Sequence, residues 1–179
     1  DAVRLSEPQP LLINDYTKPL VELKNAVFTT NPAMINLHSS PDFPGFDILL
    51  YHGYGYDDYG ESVPSIKLAG KNISDRVIAI MKFLLQRRHL APTHGSTLYI
   101  PDPKRDALVI EQVPDLLISG HIHKSASTFY RGVGLVCGSC WQTQTSFQEK
   151  VGHVPSPCIL PVINLKTREI LMLDFSKPT

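Results

Sequence analysis

Two short apolar runs constrain this chain more than any other feature. "FDILLYHG" (46–53) and "DLLISGHIH" (115–123) each lead from aliphatic residues to histidine beside glycine. A continuous apolar run between turn formers is the pattern of a strand covered on both faces. Each strand would then deliver an imidazole to its end, His52 from the first and His121 from the second. His123 lies two residues beyond His121, so in an extended segment both side chains project to one side. If the two strands share a sheet or face each other, three imidazoles converge. Neutral imidazole ligates divalent zinc, manganese or iron. The bland alternative is three unrelated surface histidines in loops.

The rest of the chain predicts a layered α/β domain. Its 179 residues suffice for one domain with a real core. A hydrophobic content of 42% against 19% charged describes a globular chain rather than a disordered tail. The clearest helix is "SDRVIAIMKFLLQRRHL", with Ser74 as N-cap and Val77, Ile80, Met81, Leu84 and Leu85 at core-stripe spacing. "TKPLVEL" predicts a short helix. "AVFTT", "AMINLH", "ALVIEQV", "ASTFYRG" and "VGLVCGS" read as strands, and residues 156–175 as a hairpin around Lys166 and Thr167. "YGYDDYGESVPSIKLAGKN" has no period and many turn formers, which predicts a long loop.

Seventeen basic residues balance seventeen acidic ones, so no global field advertises a nucleic-acid partner. No apolar stretch approaches the roughly 20 residues of a membrane span. Three cysteines make no disulfide framework and predict a soluble, cytoplasmic protein. The chain begins at Asp1 rather than at a methionine, which suggests a piece of a longer protein.

"LLYHG", "SGHIH" and the opening "DAVRLSEPQP" together resemble the calcineurin-like metallophosphoesterases. Within them, these stretches are most similar to the small subunits of archaeal family-D DNA polymerases, as are "LLQRRHLAPTHG" and residues 138–165. The resemblance covers essentially the whole chain. It implies the C-terminal part of a metallophosphoesterase β-sandwich flanked by helices, with residues 1–179 a partial domain that lacks the N-terminal motifs. It implies that His52, His121 and His123 ligate a dinuclear divalent centre of manganese, or else zinc or iron. Asp1 would orient a motif histidine that precedes this chain. Two cations roughly 3.5–4 Å apart clamp a phosphodiester and activate water. The implied activity is 3′–5′ exonucleolytic proofreading on single-stranded DNA 3′ ends, in partnership with a large catalytic polymerase subunit. The competing expectation is a silent scaffold that only holds that large subunit.

Other signals carry two readings each. Tyr51, Tyr54, Tyr56 and Tyr59 surround His52 and would either stack bases or pack a loop. Asp57 and Asp58 would orient a ligand histidine or sit solvated. Cys137 and Cys140 have half a zinc knuckle's spacing, but Cys158 is the only other cysteine, so buried small residues fit better. Arg87 and Arg88 complement a helix end or touch a phosphate. His38, His89, His94 and His153 stand alone and read as structural or surface residues.

Overall fold

A computed structural model describes residues 6–11, 17–70 and 72–176. Asp1 lies outside the described residues.

The two apolar runs form neighbouring strands of one mixed sheet. Strand β1 spans Ala33–Leu37, β2 Phe46–Tyr51, β3 Leu116–Ser119, β4 Ala126–Tyr130 and β5 Val133–Cys137. Their order across the sheet is β1-β2-β3-β5-β4. The three central strands run parallel, and antiparallel strands close both edges. Central parallel strands are covered on both faces, which is why β2 and β3 read as unbroken apolar runs.

Alternate residues of those strands serve two different cores. Leu49, Tyr51, Leu117 and Leu135 face a helical layer. That layer contains α2 (Tyr56–Ser62), α3 (Pro64–Lys67) and α4 (Ile73–Arg87). Val77, Ile80, Met81, Leu84 and Leu85 form the buried stripe of α4, as their spacing predicts. Phe46, Ile48 and Leu116 face the other way and pack with Ile163. Ile163 belongs to the two-stranded sheet of β6 (Ile159–Ile163) and β7 (Ile170–Asp174). Arg168, between β6 and β7, pins this hairpin by pairing with Asp115 and lying 5.3 Å over the Phe46 ring. The architecture is mixed α/β: a five-stranded sheet with helices on one face and a two-stranded hairpin against the other.

Several expectations require correction. Residues 56–67 form two helices rather than a loop. Tyr56, Tyr59 and Ile66 have almost no exposed surface, and their burial against α4 stabilises short helices built largely from turn-forming residues. The N-cap of α4 is Asn72, whose side chain accepts from the Asp75 amide; Ser74 Oγ turns instead to the Ser125 carbonyl at 3.4 Å. "AVFTT" and "ALVIEQV" are not strands; Val109 makes an isolated bridge to His89. Two further helices are short: α1 (Lys18–Val21), as expected, and α5 (Ser146–Lys150), closed by a reciprocal Thr145–Gln148 capping box. Among the described residues, no helix is long and apolar enough to cross a membrane.

Candidate metal centre

Parallel register brings two of the histidines together. Tyr51 of β2 is paired with Ser119 of β3, so His52 and Gly120 are the next residues on adjacent strands. The Gly120 amide donates to the His52 carbonyl at 3.1 Å, and Ser119 Oγ donates to the same oxygen at 3.2 Å. One residue later, His121 Nδ1 stands 3.2 Å from His52 Nε2. The pair sits beyond the carboxyl ends of parallel strands, where open α/β sheets place their ligand sites.

The expected extended geometry beyond β3 does not occur. The strand stops at Ser119, and His121 and His123 both adopt left-handed backbone conformations, with φ of 62° and 55°. Ile122 between them is buried and anchors the loop in the core. The two imidazoles therefore diverge. His121 turns to His52, whereas His123 Nδ1 accepts from Gln148 Nε2 at 3.0 Å. His153, read as a lone histidine, holds this loop by donating from Nε2 to the Ile122 carbonyl at 2.6 Å.

Aromatic and acidic side chains complete the surroundings. Tyr54 packs against both rings, 4.3 Å from His52 and 5.3 Å from His121 between centroids. All four tyrosines are buried, so they pack the site rather than present stacking faces. Asp57 Oδ2 accepts from His121 Nε2 at 3.0 Å, the orienting contact that a ligand histidine uses. Asp58 accepts from the Ser62 hydroxyl at 3.3 Å. Arg87 lies over Phe83, and Arg88 closes α4 while bonding the Ile110 and Glu111 carbonyls, so both are structural. Cys137 is buried, and its thiol is pushed up to about 12 by burial, which makes it an inert core residue.

Beneath His52 lies a buried polar network that the sequence did not suggest. Glu7 is completely buried. Its carboxylate accepts from Tyr51 Oη at 2.9 Å and from Asn31 Nδ2 at 3.3 Å. Asn31 Oδ1 in turn accepts from the His52 amide at 2.8 Å. Burial raises the Glu7 pKa, and burial and then the Glu7 charge raise that of Tyr51. Glu7 and Asn31 thus hold the backbone of His52 from below. In the sequence they are 24 residues apart with no shared motif, so only folding reveals the pair.

The donor chemistry fits one ion in part. Burial, and next the charge on His121, push His52 down to about 4, so its imidazole is neutral at ordinary pH. Burial also lowers His123. Two nitrogens bound to one ion at about 2.1 Å stand roughly 3.0–3.4 Å apart, and the 3.2 Å between His121 Nδ1 and His52 Nε2 matches this. Among the described residues, no group of three or more His, Cys, Asp or Glu side chains is arranged to hold an ion. His52 and His121 are the two imidazoles that approach each other; His123 is adjacent to them but engaged with Gln148.

Comparison with known proteins narrows the context. A DNA polymerase II small subunit from Pyrococcus horikoshii is 44% identical over 179 residues, covering 99% of this chain and 27% of that protein. The protein of the same name from Methanocaldococcus jannaschii is 42% identical over 92% of this chain and 26% of its own length. That from Halobacterium salinarum is 34% identical over 98% of this chain and 32% of its own. The chain is a homologue of a segment of archaeal DNA polymerase II small subunits. It spans about a quarter of the length of the first of these relatives, at 27%. No protein-family model matches it.

Proposed function

We propose that this chain is the C-terminal part of a calcineurin-like phosphoesterase domain in the small subunit of an archaeal replicative DNA polymerase. Its role there is metal-dependent 3′–5′ exonucleolytic hydrolysis of single-stranded DNA ends. The observation that carries the reading is the His52–His121 pair, a neutral and a carboxylate-oriented imidazole 3.2 Å apart beyond two parallel strands. Its relatives by sequence are named DNA polymerase II small subunits, which supplies the nucleic-acid context.

The chain's residues have distinct parts in this chemistry. His52 and His121 would hold a divalent ion, manganese suiting a mixed shell of imidazole and carboxylate. Such ions, when bound, would offset the negative charge that develops on a phosphodiester and would make a water nucleophilic near neutral pH. Asp57 fixes the His121 tautomer by accepting from Nε2, which leaves Nδ1 as the donor atom. Asn31 holds the His52 backbone, and the Ile122 anchor sets the loop that carries His121 and His123. Asp1 would orient the proton-donating histidine of a preceding motif.

A second reading has its own support. A scaffold that docks on a large polymerase subunit would expose apolar side chains without needing a metal, and Trp141, Phe147, Leu171 and Phe175 are all more than half exposed. His121→Ala in the full-length subunit separates the two. The nuclease reading expects loss of manganese-dependent degradation of single-stranded DNA with the large subunit still co-purifying. Retained degradation at near-normal rate would sink it.

A further inference from the structure

Arg76 is poorly placed for helix stability. It is the fourth residue of α4, where the partial positive charge of the helix start disfavours a cation. Its side chain is half-buried and lines a groove of about 820 Å³ together with Tyr54, His121 and His123. Asp57 and Glu61 line the same groove, yet among the described residues Arg76 forms no ion pair with either. Its Nε is buried and has no hydrogen-bond partner among them. Folded proteins pair almost all buried polar atoms, so Arg76 carries donor capacity that no described residue uses, and the part of its guanidinium that borders the groove is open to an external acceptor.

The groove also indicates which acceptor. Guanidinium presents a planar fork of donors that matches the oxygens of a phosphate, and it keeps its charge at any relevant pH. Gln142 and Gln148 add neutral amides to the same lining. We propose that Arg76 is a phosphate-binding residue of this site, donating to non-bridging oxygens of a DNA strand lying in the groove beside His52 and His121. The inference rests on the nuclease reading for the identity of the strand, but the contact itself needs no metal.

Equilibrium binding tests this on the full-length chain. The probe is a 5′-labelled single-stranded oligonucleotide, followed by fluorescence anisotropy in EDTA across a salt titration. Arg76→Met keeps the length and apolar stem while removing the charge. It should weaken binding about tenfold and reduce the slope of log K against log salt by about 0.7, the value for one phosphate contact on a single strand. Arg76→Lys restores a point charge without the fork, so the slope should return while affinity recovers only in part. Wild-type affinity and slope in Arg76→Met would overturn the proposal. So would weakened binding with an unchanged slope, or a loss matched by a lower melting temperature, because both describe a structural arginine. His121→Ala, assayed for nuclease with manganese, reports separately on the site: retained activity there removes the nuclease reading, whereas the Arg76 result stands or falls on its own slope.

Discussion

Asn31 is the residue whose removal should be felt both in stability and at the His52–His121 pair. Its side chain links the buried Glu7 carboxylate to the His52 amide, donating to the carboxylate at 3.3 Å and accepting from the amide at 2.8 Å. Asn31→Ala orphans the His52 N–H, at about 1–3 kcal/mol for a buried donor left unpaired, and loses a longer bond to Glu7 worth roughly 1 kcal/mol. The total is about 2–4 kcal/mol, or a factor of roughly 30 to 900 in the folding equilibrium. Asn31→Asp is the informative partner. It keeps the acceptor for His52 but sets a second carboxylate against Glu7. Glu7 already has a folded pKa raised above its ordinary 4.5 by burial. Such a group stabilises the fold most below its unfolded pKa, and that contribution is lost as pH rises through the folded pKa. With Asp at position 31, one shared proton satisfies the pair at pH 5 but not at pH 8, so the variant should be near wild type in acid and progressively weaker toward pH 8. Urea unfolding of the full-length chain at pH 5, 6.5 and 8 measures this. If Asn31→Ala lies within 0.5 kcal/mol of wild type, or Asn31→Asp runs parallel to wild type across this range, the network does not hold His52 as described.

Two other changes probe the scaffold. Gly134 is paired with Leu116 in the central sheet, and an added Cβ would meet Leu116 Cδ2 at 2.3 Å; Gly134→Ala should cost about 1–3 kcal/mol in urea unfolding, and less than additively when combined with Leu116→Ala. Asn72→Ala should cost about 1 kcal/mol through the lost cap of α4, whereas Ser74→Ala should cost under about 0.5 kcal/mol; the reverse order would restore Ser74 as the cap.

Elements with a strong local signal were legible before folding. The stripe of α4, the apolar runs of β2 and β3, and the hairpin of β6 and β7 each carry their own periodicity, so burial and propensity agree within one short window. The placement of His52 and His121 just beyond two apolar strands was legible too, because a histidine closing such a strand is an unusual use of a polar side chain. Helices α2 and α3 were not, since Tyr56, Tyr59, Val63 and Ile66 stand among glycines, acids and a proline whose turn signal outweighs their spacing until α4 supplies the surface they pack against. Nor was the divergence of His121 and His123. A left-handed turn at each, with Ile122 drawn into the core between them, replaces the strand alternation that would have aligned them. Pair register across β2 and β3 decides that His52 meets His121, 69 residues away. The Glu7–Asn31–His52 chain likewise exists only where three distant segments cross. Local sequence determines which residues can be strand, helix or ligand; the partners each one finds depend on long-range closure, which no window of the sequence contains.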